Sequence, residues 1–359
     1  MFSNILLIRF SSLGDLVLTT PIYRELRKVY PDSRLTLLTS EGFGRVLENN
    51  PHLDEIIYHH RKETRIDLKE LINQLRLQKF DLIYDIHNSL RSRWIGWQLK
   101  RHAPKPEHWL IEKRTLAREL QIRFRWGQFF NGKSQREQWL EPLQRQHTGT
   151  LSTKTELFPS VADKNYVKAW LNQNDLQDKP FICIGASASF PLKCWPLHNF
   201  KQLVENIIQS GVSVVLVGAN GEIETEELAE YFRGSQNVFC AAGIFTILQS
   251  AALLEMANAV VANDTSIIHL AEAMRTPSIA LFGPTVKEFG YAPMLEQSRL
   301  IETDLALRCR PCSRTGKGTC KNRDQQICMY SIPTQKVWDA AQLLLPKGKR
   351  VVHANLFCS

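Results

Sequence analysis

The chain predicts an α/β protein made of two doubly wound halves that face one another across a cleft. Three observations carry that reading. Short apolar runs alternate with segments of helical spacing, the pattern of parallel strands joined by covering helices. The pattern starts twice, at Ile5-Leu6-Leu7-Ile8 and again at Pro180-Phe181-Ile182-Cys183-Ile184-Gly185, with a polar, turn-rich stretch at 148–160 between. The third is length: 359 residues is long for one core and natural for two. The expected division is 1–155 and 156–333, then a segment 334–359 whose helix crosses back onto the first half and ends in a tail.

In the first half, Ile5 to Ile8 reads as a buried strand, followed by the turn Ser11-Ser12-Leu13-Gly14 and a helix from Leu16 to Val29 that stops before Pro31-Asp32. Arg34 to Thr39 is a second strand, Gly42 to Glu48 a short helix and Glu55 to Tyr58 a third strand. Leu68, Leu71, Ile72 and Leu75 share one face of a helix over 67–78. Phe80 to Asp85 is a fourth strand, and a basic helix begins at Leu90. From Arg101 to Gly149 the pattern loosens, with tryptophans scattered among arginines.

Asp15 stands where the first strand gives way to a helix, at the carboxyl edge where open α/β sheets bind ligands. Two jobs are open to an acid there. It can cap the helix N-terminus, or it can serve as a base at the mouth of the cleft.

The second half supplies strands at 212–217, 238–241, 259–262 and 278–282, with helices between them. Three of its strand-to-helix turns carry polar side chains. Ser187, Ser189 and Lys193 follow the first strand, where small residues and a mobile cation suit a phosphate. Glu222 follows the next, where a carboxylate suits the two hydroxyls of a ribose. Asp264, Thr265 and Ser266 open the helix that carries His269, and Phe282-Gly283-Pro284-Thr285 ends the following strand.

Composition narrows the class. A hydrophobic share of 43% and a charged share of 23% are ordinary for a globular protein. The run at Ile5 to Ile8 is too short for an export signal, so the expected location is cytoplasmic, with thiols reduced. Cys309, Cys312, Cys320 and Cys328 form C-x2-C-x7-C-x7-C, a spacing open to zinc or to packed thiols and an occasional disulfide. The net charge of +9 is concentrated: residues 86–150 hold 13 Lys/Arg against 5 Asp/Glu. Such a patch attracts nucleic acid, anionic lipid headgroups or phosphorylated glycans, or is a solvated helix face.

Together, ILLIRFSSLGDLVLTTPIYRELRKVYPDSRLTLLT from Ile5, Lys193-x-Trp195-Pro196, and NDTSIIHLAEAMRTPSIALFGPT from Asn263 resemble the bacterial heptosyltransferases of glycosyltransferase family 9, from residue 5 to about 340. The resemblance implies the GT-B fold, two Rossmann-like domains with the active site between them. It also implies an inverting, metal-independent transfer of heptose from ADP-heptose to the inner core of lipopolysaccharide, with no cofactor. By position it makes Asp15 the general base and Lys193 the cation that neutralises the diphosphate. Ser187 or Ser189 would meet phosphate, Glu222 the adenosine ribose (Glu224 or Glu226 if the alignment slips), and Asp264, Thr265 and Ser266 the sugar and diphosphate. His269 would be structural. The basic segment would then serve a lipid-anchored, phosphorylated glycan at the cytoplasmic face of the inner membrane rather than nucleic acid, with Arg61, Arg91 and Arg93 as candidates for its anionic groups. A transferase using another nucleotide sugar, or a non-catalytic binding protein of the same fold, are the alternatives.

Overall fold

The computed structural model describes residues 2–59, 65–101, 105–124 and 132–345. Two wholly parallel sheets form its frame. The first has the order β3-β2-β1-β4-β5, built from β1 (Asn4–Ile8), β2 (Arg34–Ser40), β3 (Glu55–His59), β4 (Leu82–Asp85) and β5 (Glu107–Leu110). The second has the order β11-β10-β9-β6-β7-β8, built from β6 (Phe181–Gly185), β7 (Ser213–Leu216), β8 (Val238–Cys240), β9 (Ala259–Asn263), β10 (Ser278–Phe282) and β11 (Arg299–Glu302).

The central strands are apolar on both faces because helices cover both sides of a parallel sheet. Ile5, Leu6, Leu7 and Ile8 are all fully buried, as are Ile182, Cys183 and Ile184. In each sheet the first strand lies between two partners reached in opposite directions. β1 pairs with β2 and β4, and β6 pairs with β7 and β9. Ligands bind where strand order reverses in this way, beyond the carboxyl ends. In the first sheet that point is Arg9 to Asp15, and in the second it is Ala186 with Asn263 to Ser266. Asn263 fixes the second of these by donating to the Ala186 carbonyl at 2.6 Å and accepting from the Trp195 N–H at 3.0 Å.

Four features differ from expectation. The helix expected over 16–29 is two helices, Leu13–Leu18 and Thr20–Val29. Pro21 lies in the first turn of the second, and the hydroxyls of Thr19 and Thr20 turn back to the carbonyls of Leu16 and Val17. Strands β5 and β11 escaped the sequence reading because both are sheet edges with charged ends, Glu107-His108-Trp109-Leu110 and Arg299-Leu300-Ile301-Glu302. A helix over Gln135–Gln144, capped by Ser134, crosses the loosely patterned stretch and packs on the Thr20–Val29 helix. Finally, the Thr334–Gln342 helix does not cross onto the first half: it packs on β10 and the Leu197–Gln209 helix. Its stripe of Val337, Trp338 and Ala341 belongs to the same core as Phe200 and Leu203, which leaves no apolar face for the other half. The tail beyond residue 345 lies outside the described residues.

Among the described residues no helix is long and apolar enough to cross a membrane.

Candidate active site

Asp15 is the third residue of the Leu13–Leu18 helix, and its Oδ2 accepts from the Ser12 N–H at 3.1 Å and the Ser12 hydroxyl at 3.2 Å. It therefore does cap the helix entry. The same oxygen also lies 2.6 Å from Nη2 of Arg9. Burial pushes the Asp15 carboxyl upward, but the Arg9 charge and the Ser12 N–H outweigh it and hold the group below its ordinary value. The result is an ionised carboxylate at the cleft, available as a proton acceptor.

The helix enters against the other half of the molecule. Gly14 abuts His269 of the Ser266–Ala273 helix so closely that a Cβ on it would lie 2.8 Å from the imidazole Cδ2. His269 is buried, and burial lowers its proton affinity, with the nearby Arg136 charge adding to that and Glu272 opposing it.

Across the cleft, Lys193 places Nζ 2.7 Å from Oδ2 of Asp264 and donates to the Asp264 carbonyl at 3.2 Å. Thr285, just past β10, donates to the same Oδ2 at 2.7 Å. Thr265 and Ser266 open the helix here, so its free N–H groups and positive dipole end lie beside the Lys193 ammonium. A dianionic ligand would find complementary charge at this end of the cleft.

A cavity of about 690 Å³ joins the two sides, lined by Arg9, Ser12 and Asp15 from the first half and by Ser189, Lys193, Asp264, Thr265 and Ser266 from the second. Five of the expected donor and diphosphate residues therefore converge on Asp15. Ser187 does not. Its hydroxyl is buried against Thr225, sharing a hydrogen bond with the Thr225 hydroxyl at 3.0 Å and accepting from the Thr225 N–H at 3.2 Å. Ser189 is the serine that faces the cavity. Glu222 stands at the N-cap position of the Ile223–Tyr231 helix beyond β7 and is not a lining residue of the cavity. Burial raises its proton affinity, the Ala219 N–H opposes this, and Glu224 adds to it.

The expected cations on the first half are placed differently. Arg93 is spent on Asn88, donating from Nε to Oδ1 at 2.6 Å, and Arg91 shares a hydrogen bond with Nε2 of His59. Neither lines the cavity; both sit in the first turn of the Leu90–Lys100 helix and are exposed. Arg61 lies outside the described residues. Besides Lys193, the cations that line the cavity are Arg9, Lys113, Arg118 and Arg314, none of which the sequence reading singled out. Arg118 stacks over the rings of Phe289 and Tyr291, so a side chain from the first half reaches residues of the second.

The cysteine run folds back over the end of β10. Arg310 bonds the Gly283 and Thr285 carbonyls and pairs with Glu302 at 2.6 Å, and the Cys312 N–H donates to the Pro284 carbonyl. Gly316, in the left-handed region at φ +84°, lets the chain pass the Lys193 stem, where a Cβ would lie 2.7 Å from Cγ. That delivers Arg314 and Thr315 to the cavity. Cys309, Cys312, Cys320 and Cys328 are free, and among the described residues no three His, Cys, Asp or Glu side chains are placed to hold a metal ion.

Two Rossmann-like sheets whose switch points face a shared polar cleft define the GT-B architecture. The family model of glycosyltransferase family 9 (heptosyltransferase) matches residues 68–319, and the chain belongs to that family. The lipooligosaccharide heptosyltransferase 2 of Haemophilus influenzae is 27% identical over 336 residues, covering 84% of this chain and 90% of that protein. Among solved structures, a glycosyl transferase family 9 protein from Veillonella parvula matches with a TM-score of 0.77 at 21% identity, over 95% of this chain and 97% of that one. The E. coli ADP-heptose lps heptosyltransferase II matches with a TM-score of 0.72 at 22% identity, over 95% of this chain and 98% of that one.

Proposed function

We propose that this enzyme transfers heptose from ADP-heptose to the inner core of a lipopolysaccharide, with inversion and without a metal ion. The observation that carries the reading is the single cavity in which Asp15 faces the Lys193–Asp264 pair and the N-terminus of the Ser266–Ala273 helix. The names of its relatives support the donor and the acceptor class.

In this reading residues 1–155 receive the acceptor and 156–333 the donor. The diphosphate takes over Lys193 from Asp264 and lies against the free N–H groups of Thr265 and Ser266, with Ser189 alongside. Glu222 receives the ribose hydroxyls. Asp15 takes the proton of the acceptor hydroxyl as its oxygen attacks the anomeric carbon. The bond from that carbon to the β-phosphate oxygen breaks on the opposite face, and ADP leaves with the electron pair. Lys193 and the helix N-terminus supply the positive charge that a divalent ion supplies in other transfers.

Lys113 and Arg118 are the cations we assign to the acceptor's acidic groups. The Leu90–Lys100 helix supports contact with the cytoplasmic face of the inner membrane: Leu90 is 89% exposed and Trp97 51%, beside Arg91, Arg93 and Arg101.

The test is nucleotide release from ADP-heptose and from UDP-sugars, each with and without core acceptor. Acceptor-dependent ADP release is expected, and release from no donor would overturn the transferase reading. Asp15→Asn should lower kcat by about 10²–10⁴-fold while donor binding survives. Unimpaired turnover by that variant would remove the base assignment alone.

A further inference from the structure

Arg9 occupies an unusual place for a cation. It follows directly on the central strand β1, is only 6% exposed, and still lines the cavity. Three contacts hold its guanidinium. Nη1 donates to the Ile86 carbonyl at 2.8 Å, the plane lies over the Trp139 ring at 4.5 Å, and Nη2 meets Oδ2 of Asp15 at 2.6 Å. The carbonyl belongs to the chain leaving β4, and the ring to the Gln135–Gln144 helix, so the orientation is set from two further elements. Meanwhile Ser12 gives its N–H and hydroxyl to the same carboxylate oxygen. Oδ2 thus receives three donors, and among the described residues none reaches Oδ1.

We propose that Arg9 is a positioning residue for the transfer: it clamps Oδ2 of Asp15 and leaves Oδ1 as the atom that accepts the acceptor's proton. The inference rests on Asp15 being the base. A carboxylate held by one oxygen cannot rotate its charge away from the substrate, so its free oxygen keeps one direction through the attack. Arg9 also fixes the ionisation state. Other groups whose charge is felt at Asp15 are His87 and Lys113 on the first half and His269 and Tyr291 on the second. Burial drives both imidazoles toward neutrality and keeps the Tyr291 phenol protonated up to about 12. Lys113 feels the carboxylate's charge but makes no ion pair with it. The contact cation is Arg9.

The experiment compares the pH dependence of kcat/KM in wild type, Arg9→Met and Arg9→Lys, using the ADP-release assay with core acceptor. In Arg9→Met the acid limb should move upward by about one pH unit or more, toward the ordinary carboxylate range. Its kcat should fall by about 10²-fold with donor KM unchanged. Arg9→Lys, which keeps the charge and loses the fork, should return the limb to its wild-type place while recovering only part of kcat. The position of a limb does not depend on how much of a variant is folded, so a poorly folding Arg9→Met still reads out. An unmoved limb, or a loss confined to acceptor KM, would overturn the inference, the latter making Arg9 a substrate-binding cation. Asp15→Asn is run beside them: if it stays active, the base reading has failed, and if it is dead while Arg9→Met keeps the wild-type profile, only the role of Arg9 has.

Discussion

Arg136 and Glu272 form a fork-to-fork ion pair, with N···O distances of 2.9 and 3.1 Å, and each side chain is only 2% exposed. Glu272 accepts from the Met294 N–H as well, so the carboxylate is well provided for. Removing one partner from such a pair strands the other in a dry place. Glu272→Gln should therefore destabilise the protein by about 3–5 kcal/mol in denaturant unfolding. At the residue scale neither this pair nor Arg9 was legible in the sequence, though for different reasons. Arg136 and Glu272 are 136 positions apart, and Arg9 reaches Asp15 only because a tight turn folds the chain back. Asp15 itself was legible, since strand, turn and helix fix its place locally. The choice between cap and base was not legible, and the geometry shows that a side chain at the third helical position can satisfy the helix entry with one oxygen alone. Ser187 and Ser189 differ by two residues, and which one faces inward depends on a contact with Thr225 that no local pattern encodes.

Among elements, the Ser266–Ala273 helix has the most neighbours that matter. Its N-terminus faces Lys193, its flank meets the Leu13–Leu18 helix at Gly14, and its far end holds Glu272. The approach at Gly14 leaves no room for a methyl group. Gly14→Ala should cost about 1–3 kcal/mol through overpacking against the buried His269 ring. His269→Ala in the same chain should recover much of that loss, and thermal melts of the two single variants and the double variant measure the coupling. Strongly apolar central strands were readable from their runs. The edge strands β5 and β11 were not, because an edge needs only one buried face and tolerates charges at its ends. The basic stretch concealed the Gln135–Gln144 helix for a related reason. Its buried residues include Gln135, Arg136 and Gln138, so polarity there marks an interface rather than solvent.

For the molecule as a whole, acid should be destabilising well before the carboxylates protonate. Burial pushes His87 and His108 from the ordinary 6.5 down to about 4. The unfolded chain takes up those protons as pH falls below 6.5, while the folded chain refuses them until near 4. Stability is therefore fully present above 6.5 and is lost progressively between 6.5 and 4. Melting temperatures should fall across that window, and His87→Asn or His108→Asn should each flatten the decline. The depressed Asp15 carboxyl acts in the same direction at lower pH, adding stability above its ordinary value that disappears as pH drops through its folded one.

The same short helix at 266–273 gives the two halves a common part. It meets Gly14 at its flank and Arg136 at its far end, both residues of the first half. Halves of this kind are not interchangeable cartridges. A recombinant that joins the first half of one relative to the second half of another keeps this seam only where a glycine still meets the ring at the Gly14–His269 contact and both partners of the Arg136–Glu272 pair are present.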